Sequence, residues 1–204
     1  MNAGMFFKAM LIGLSIAAPV GPIGLLCIQR TLAHGAGVGF VSGLGAATAD
    51  GFYGAVGAFG LAAITHFFVA LRLPLALGGA GLLGWMGIQM LRAAAPSRAA
   101  QAADPMGYAQ AYGSVALLTL ANPMTIMSFV AVFAVLGGRS GVDSSSGGVM
   151  VAGVFLGSAV WWLSLALGVH AVRQRIGAAT MRWINRLAGS LLIAFAAWQL
   201  GKAI

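Results

Sequence analysis

The stretch "APVGPIG", residues Ala18–Gly24, lies inside a long apolar run near the start of the chain. It contains two prolines and two glycines within seven residues. Proline removes a backbone hydrogen-bond donor and clashes with the preceding helical turn, and glycine weakens a helix interior. The stretch therefore predicts a helix that is broken between Pro19 and Pro22.

The composition around this break excludes a soluble protein. Of the 204 residues, 60% are hydrophobic and 7% are charged, whereas soluble domains carry about 25% charged residues. A chain with so few charges cannot cover a water-facing surface, so we expect an integral membrane protein. The formal charge of +8 does not indicate nucleic-acid binding, because there is no basic stripe with interleaved aromatic residues.

The apolar runs predict an all-α, polytopic fold of six transmembrane helices in one membrane domain, residues 1–204. Most of the runs approach the roughly 20 residues that a bilayer requires. The predicted spans are 6–28, 38–65, 74–91, 113–136, 148–171 and 186–201.

The two halves of the chain resemble each other weakly, which predicts an internal repeat. Repeat one covers about 1–92, a polar linker covers 93–112, and repeat two covers about 113–204. Pro22 aligns with Pro123, and Gln89 aligns with Gln199. Three spans per repeat reverse the second copy in the membrane, so we expect a three-plus-three inverted repeat, which is common in secondary transporters.

Basic residues between the runs predict the orientation of the chain. Loops one, three and five hold the larger share of the bases, Arg30, Arg92, Arg98, Arg173, Arg175, Arg182 and Arg186. Because cytoplasmic loops are enriched in lysine and arginine, both termini are predicted on the non-cytoplasmic side. A stripe of small residues from Gly35 to Ala47 favours close helix packing, either within the chain or in a homodimer.

Matching breaks in the two halves predict a transport site. Half-helices that begin at Pro22 and at Pro123 would present free backbone N–H groups and a positive dipole end, to which a carboxylate can bind. Paired Pro/Gly interruptions are the strongest sequence indication of a binding site in an inverted repeat. The alternative is a packing kink without a ligand, because both residues are frequent in membrane helices.

Asp50 is the one acid within a predicted span. Intramembrane acids usually mark substrate or ion pathways, so Asp50 is predicted to bind a substrate ammonium group or to exchange a coupling proton. The alternative is a structural pair with Asn122, a threonine or a basic loop end. Asn122 is interpreted as a ligand or as a donor to carbonyls freed by Pro123. Trp161 and Trp162 either wall a cavity near Asp50 or pack in the core.

These residues resemble the LysE family of amino-acid exporters, often called LysE/RhtB. The resemblance rests on "APVGPIGLLCIQRTL", "ATADGFYGAVGAFGL" and "TLANPMTIMSFVAVFA", and it covers nearly the whole chain. It implies efflux of amino acids across the bacterial inner membrane, driven by the proton motive force. The residues that carry the family's marks, and that are predicted to bind substrate, are Pro19, Gly21, Pro22, Asp50, Asn122 and Pro123.

Two departures from the family pattern fall at this predicted site. Val20 is inserted into the usual Pro-Gly-Pro, and Met124 stands where many members have lysine after Asn-Pro. The resemblance therefore does not carry a particular substrate over to this chain.

The leading hypothesis is a proton-coupled exporter of an amino acid or a related small zwitterion. The alternatives are an inorganic cation efflux protein and a non-transporting membrane scaffold. Catalysis is not expected, because the sequence has neither H-E-x-x-H nor G-x-S-x-G and no second membrane acid. No cofactor or resident metal is expected either, since the single cysteine, Cys27, excludes a cysteine cluster.

Overall fold

A computed structural model describes residues 3–19, 21–59, 72–92, 106–122, 124–129, 144–173 and 175–203. These residues are helical with short connections, and no strand occurs among them, so the all-α class is confirmed. Residues 124–129 form a short helical segment. The longer helices are α1 (Ala3–Ala17), α2 (Pro22–His34), α3 (Ala36–Ala58), α4 (Arg72–Arg92), α5 (Tyr108–Leu120), α6 (Ser144–Arg173) and α7 (Ala178–Ala203).

The predicted break in the first apolar run separates α1 from α2. Gly21 precedes α2 in an extended conformation, and Pro22 occupies the beginning of the helix, where its missing N–H costs no hydrogen bond. The axes of α1 and α2 differ by 82°. The run predicted as one span over 6–28 is therefore two helices.

A second interruption follows α5. This helix ends at Leu120, and the short helical segment begins at residue 124. Pro123, predicted to cause the break, lies outside the described residues. The prediction of a loop over 93–112 is wrong at its end, because α5 already begins at Tyr108; residues 93–105 lie outside the described ranges.

Helix α6 lies at the centre of the packing, because α1 and α3 both pack along it, and α3 also packs against α5. Glycine makes the α1–α6 approach possible. A Cβ atom added at Gly157 would overlap the carbonyl oxygen of Met10, and one added at Gly13 would overlap that of Val154. Small residues at such interfaces allow two helix backbones to come close.

Helices α4 and α7 form a second close pair. A Cβ atom added at Gly87 would lie 2.8 Å from the carbonyl oxygen of Gly189, and the reciprocal distance is also 2.8 Å. Further along, the buried Gln199 donates from Nε2 to the carbonyl of Ala76 at 2.8 Å. Because a lower number on α4 meets a higher number on α7, the pair is antiparallel. Gln89, aligned with Gln199 in the sequence, is exposed instead.

Two arginines hold the C-terminal end of α2. Arg30 is 2% exposed and donates to Ser42 Oγ on α3 at 3.0 Å and to the carbonyl of Ala111 on α5 at 2.9 Å. Arg173, in the last turn of α6, donates to the carbonyls of Leu32 and Ala33 at 2.7 and 3.0 Å. Both residues had been assigned to loops, so the predicted orientation rests on fewer loop charges than the sequence suggested.

Two described helical stretches are long and apolar enough to cross a bilayer, Leu73–Arg92 and Gly147–Arg173. A third is available if α1 and α2 together form one bent span. The chain is thus a multi-pass membrane protein with an all-helical fold, and the six-span count stays a prediction.

Candidate functional site

A cavity of about 400 Å³ lies at the break between α1 and α2. Its size falls within the roughly 300–1,000 Å³ range of small-molecule sites. Its described lining includes five of the six residues predicted to bind substrate, and the sixth, Pro123, lies outside the described residues. Those five are Pro19, Gly21, Pro22, Asp50 and Asn122. The structure brings them together, and their role in binding stays a prediction.

Asp50 is 3% exposed and lies on the wall of this cavity. Its Oδ2 accepts a hydrogen bond of 2.7 Å from Ser158 Oγ, and Ser158 Oγ accepts one of 3.1 Å from Trp162 Nε1. An indole nitrogen can only donate, so the single hydroxyl proton of Ser158 is directed to the carboxylate. Among the described residues nothing donates to Oδ1 of Asp50, which is the oxygen left for a ligand or a proton.

Ser158 is the neighbour of Asp50 that the sequence analysis did not assign, whereas Trp162 is one of the two tryptophans that it placed either at a cavity near Asp50 or in the core. Asp50 was paired there with Asn122, a threonine or a basic residue, and the structure pairs it with Ser158 on α6. The two residues are spaced by four on α6, which places them on one helix face. Trp162 lines the cavity, whereas Trp161 is half-buried and packs against the main hydrophobic core.

Asn122 stabilises the start of the short helical segment. Its Oδ1 accepts a hydrogen bond of 3.1 Å from the backbone N–H of Met124, and its carbonyl accepts one of 3.2 Å from Ile126. Such a side-chain cap satisfies an N–H group that has no partner within the helix. The predicted donation to freed carbonyls is not seen within the described ranges. Because Oδ1 accepts this bond, the group that Asn122 has available to donate to a ligand is its NH₂.

The first turn of α2 supplies further donors to the cavity. No side chain caps this helix at Gly21, and the first intrahelical N–H of a helix have no backbone partners. Ile23 and Gly24, whose N–H groups belong to this uncapped first turn, both line the cavity. Together with the Asn122 NH₂ group they form the donor set of the site.

The hydroxyl groups of the cavity belong to the acceptor set. Thr119 donates its proton to the carbonyl of Val115 at 2.9 Å, and Ser128 donates its proton to the carbonyl of Met124 at 2.8 Å. Both side chains line the cavity, and each retains oxygen lone pairs for a ligand. With Asp50 they provide oxygens that can accept hydrogen bonds from a cationic donor.

The described residues show no cluster of side chains suited to a metal ion. Within the described ranges there is no group of three or more His, Cys, Asp or Glu side chains that could hold a metal ion.

Comparison with known proteins agrees with these features. The profile of the family described as LysE type translocator matches residues 14–200. The chain is 26% identical to the "Putative amino acid efflux protein YcgF" of Bacillus subtilis (strain 168), over 94% of this chain and 92% of that protein. It is 31% identical to the "Uncharacterized membrane protein YahN" of Escherichia coli (strain K12), over 83% and 77% of the two chains.

The name of a third relative refers to chemotaxis and not to efflux. The "Chemotactic transduction protein ChpE" of Pseudomonas aeruginosa is 29% identical over 83% of this chain and 84% of its own. No solved structure matches the chain. The profile match spans most of the sequence, including both helix breaks and Asp50, and the chain therefore belongs to the LysE family of translocators, which are transporters and not enzymes.

Proposed function

We propose that the chain is a secondary active exporter of amino acids or closely related small zwitterions, driven by the proton motive force. The observation that carries this proposal is the cavity at the α1–α2 break, which combines one carboxylate with uncapped backbone donors. The name of the Bacillus subtilis relative, an amino acid efflux protein, supports the same substrate class.

The donor and acceptor sets match the two ends of a zwitterion. The α-carboxylate binds to the N–H groups at the start of α2 and to the NH₂ group of Asn122, where the helix dipole favours a negative charge. The α-ammonium binds to Asp50 Oδ1 and to the hydroxyl oxygens of the site. Each charged group then has partners, which a buried charge requires.

Asp50 also provides the coupling step. It is the one acid among the described residues, and one of its oxygens has no partner there. Binding of a substrate ammonium displaces a proton from this carboxylate, and return of the proton releases the substrate. Exchange of a proton for a substrate at one carboxylate is sufficient to couple the two movements.

The proposal includes a six-span, three-plus-three inverted repeat for the membrane domain. Three observations support it. The interrupted helices occur at corresponding places in the two halves, α1–α6 packing has a counterpart in α3–α5 packing, and α4 lies antiparallel to α7. A repeat that rocks against its partner repeat around a central site gives alternating access.

We place the protein in the bacterial inner membrane, with both termini on the non-cytoplasmic side and with lipid around the bundle. Large apolar side chains on several helices are exposed, among them Trp85, Leu117 and Trp183, and a lipid environment accommodates them. The stripe of small residues on α3 is used within the chain, where Gly39 meets Thr31 of α2 and Gly43 meets Trp162 of α6. A homodimer, if formed, uses another surface.

Efflux from proteoliposomes tests the proposal. Vesicles containing purified protein are loaded with a mixture of labelled amino acids, and a proton gradient is imposed. We expect gradient-driven loss of one class, abolished by an ionophore and by Asp50→Asn. Ser164→Ala is the matched control, because Ser164 is exposed on α6 and donates only to the carbonyl of Val160 in its own helix. No loss of any amino acid from vesicles holding folded protein would overturn the proposal.

A further inference from the structure

We infer that the substrate carries an uncharged side chain, an inference that rests on the proposed function and narrows it. The starting point is the part of the cavity wall that remains once the α-carboxylate and α-ammonium are bound. Apart from the hydroxyls already assigned to the ammonium, this wall is mainly hydrocarbon and aromatic. Its larger members are Ile16, Met124, Trp162 and Phe195.

The described wall provides no partner for a second charge. Asp50 is its one ionisable side chain, and the α-ammonium occupies it. The other two acids, Asp104 and Asp143, lie in 93–105 and 130–143, outside the described residues. No lysine or arginine of the described ranges lines the cavity. Breaking or omitting one partner of a buried ion pair is strongly unfavourable, so a charged side chain should reduce transport efficiency by at least about 100-fold.

The apolar wall is also held in place, which allows it to distinguish side chains by size. The rings of Phe195 and Trp198 meet edge to face at a centroid distance of 5.3 Å, and Trp162 is anchored by its hydrogen bond to Ser158 at 3.1 Å. Each methylene that the substrate buries against such a wall should raise affinity about fourfold. Affinity should therefore increase from alanine to norvaline to norleucine.

Pairs of similar size and different charge provide the test. Native protein in proteoliposomes is loaded with norleucine or lysine, and separately with glutamine or glutamate, and initial efflux rates are compared at one proton gradient. We expect the uncharged member to leave at least about 100-fold more efficiently in the first pair. In the second pair we expect glutamine to leave measurably and glutamate not to leave.

A charge introduced into the wall provides the reverse test. Met124 is half-exposed and lines the cavity, so Met124→Glu places a carboxylate there, and Met124→Gln is its uncharged control of the same size. Met124→Glu should give a lysine-to-norleucine ratio about 10-fold or more above that of Met124→Gln, which makes the same change of size without the charge. Gel filtration of each variant checks that it is folded.

The outcomes separate this inference from the proposed function. Efflux of lysine or glutamate at rates equal to the uncharged partner, still abolished by Asp50→Asn, overturns the inference and leaves the exporter intact. Absence of efflux for all four amino acids overturns the inference, and loss of no amino acid from the labelled mixture overturns the exporter as well. Preference for norleucine and glutamine, with the gain of lysine export in Met124→Glu, establishes the uncharged class.

Discussion

Replacing Ser158 by alanine isolates the contribution of one hydrogen bond to transport. Ser158 is fully buried, and its hydroxyl donates to Asp50 Oδ2 at 2.7 Å. The indole of Trp162 donates to the same hydroxyl, so one hydroxyl serves both groups. Removal of the hydroxyl leaves the carboxylate and the indole N–H without this partner.

The hydrogen bond from Ser158 to the Asp50 carboxylate sets the size of the expected loss in transport rate. A hydrogen bond to a charged group contributes about 1.5–3 kcal/mol, which corresponds to a loss of roughly 10- to 150-fold in the rate of a step that needs the ionised carboxylate. The orphaned indole N–H adds about 1–3 kcal/mol of lost stability. Ser158→Ala should therefore be both slower and less stable, whereas Asp50→Asn should be inactive.

Two measurements check this prediction. Gradient-driven efflux is compared among native protein, Ser158→Ala and the control Ser164→Ala, which should retain the native rate. Thermal unfolding in detergent is then measured for Ser158→Ala, Asp50→Asn and the double variant, because a double-mutant cycle isolates the pairwise energy. Equal efflux for the two serine variants, or a coupling energy near zero, would show that Ser158 does not position the carboxylate.

Three further substitutions test the packing that surrounds the site. Arg173→Gln removes two hydrogen bonds to the end of α2 and should lower the free energy of unfolding by about 1–3 kcal/mol. The control Arg175→Gln changes an exposed side chain and should alter this free energy little. Equal unfolding temperatures for the two variants would contradict the role of Arg173 in holding α2. Gly157→Ala forces a methyl group onto the α1 backbone and should reduce the yield of monodisperse protein, unlike Gly148→Ala, which has open space. Arg30→Met removes three hydrogen bonds to α3 and α5 and should lower the unfolding temperature in detergent, and an unchanged temperature refutes the anchoring role.

The sequence predicted the helix breaks and the residues that line the cavity better than it predicted the hydrogen-bond partners of those residues. Proline and glycine act on the backbone locally, so the break before Pro22 could be located to the residue. The positions of Asp50 and Asn122 followed from the cost of placing polar groups in an apolar run. Helix ends in the polar regions were less predictable, and α5 begins within a stretch that composition alone assigned to a loop.

The partners of these residues could not be predicted, because they come from tertiary packing. Ser158 meets Asp50 across 108 positions of the chain, and nothing in its local sequence distinguishes it from Ser164. Arg30 appeared to be a loop charge, since a buried arginine without an acidic partner has no sequence signature. Its acceptors, two hydroxyls and a carbonyl from two other helices, are groups that many segments contain.

The two arginines hold the C-terminal end of α2 in place, so this end is the pivot about which the helix can tilt. Arg30 ties the His34 end to α3 and α5, and Arg173 ties it to α6, whereas the Pro22 end meets α1 through a break with no side-chain cap. Thirteen residues give an arm of about 20 Å. A tilt of about 10° around the pivot therefore moves the donor groups of the Pro22 end by about 3 Å, the length of one hydrogen bond.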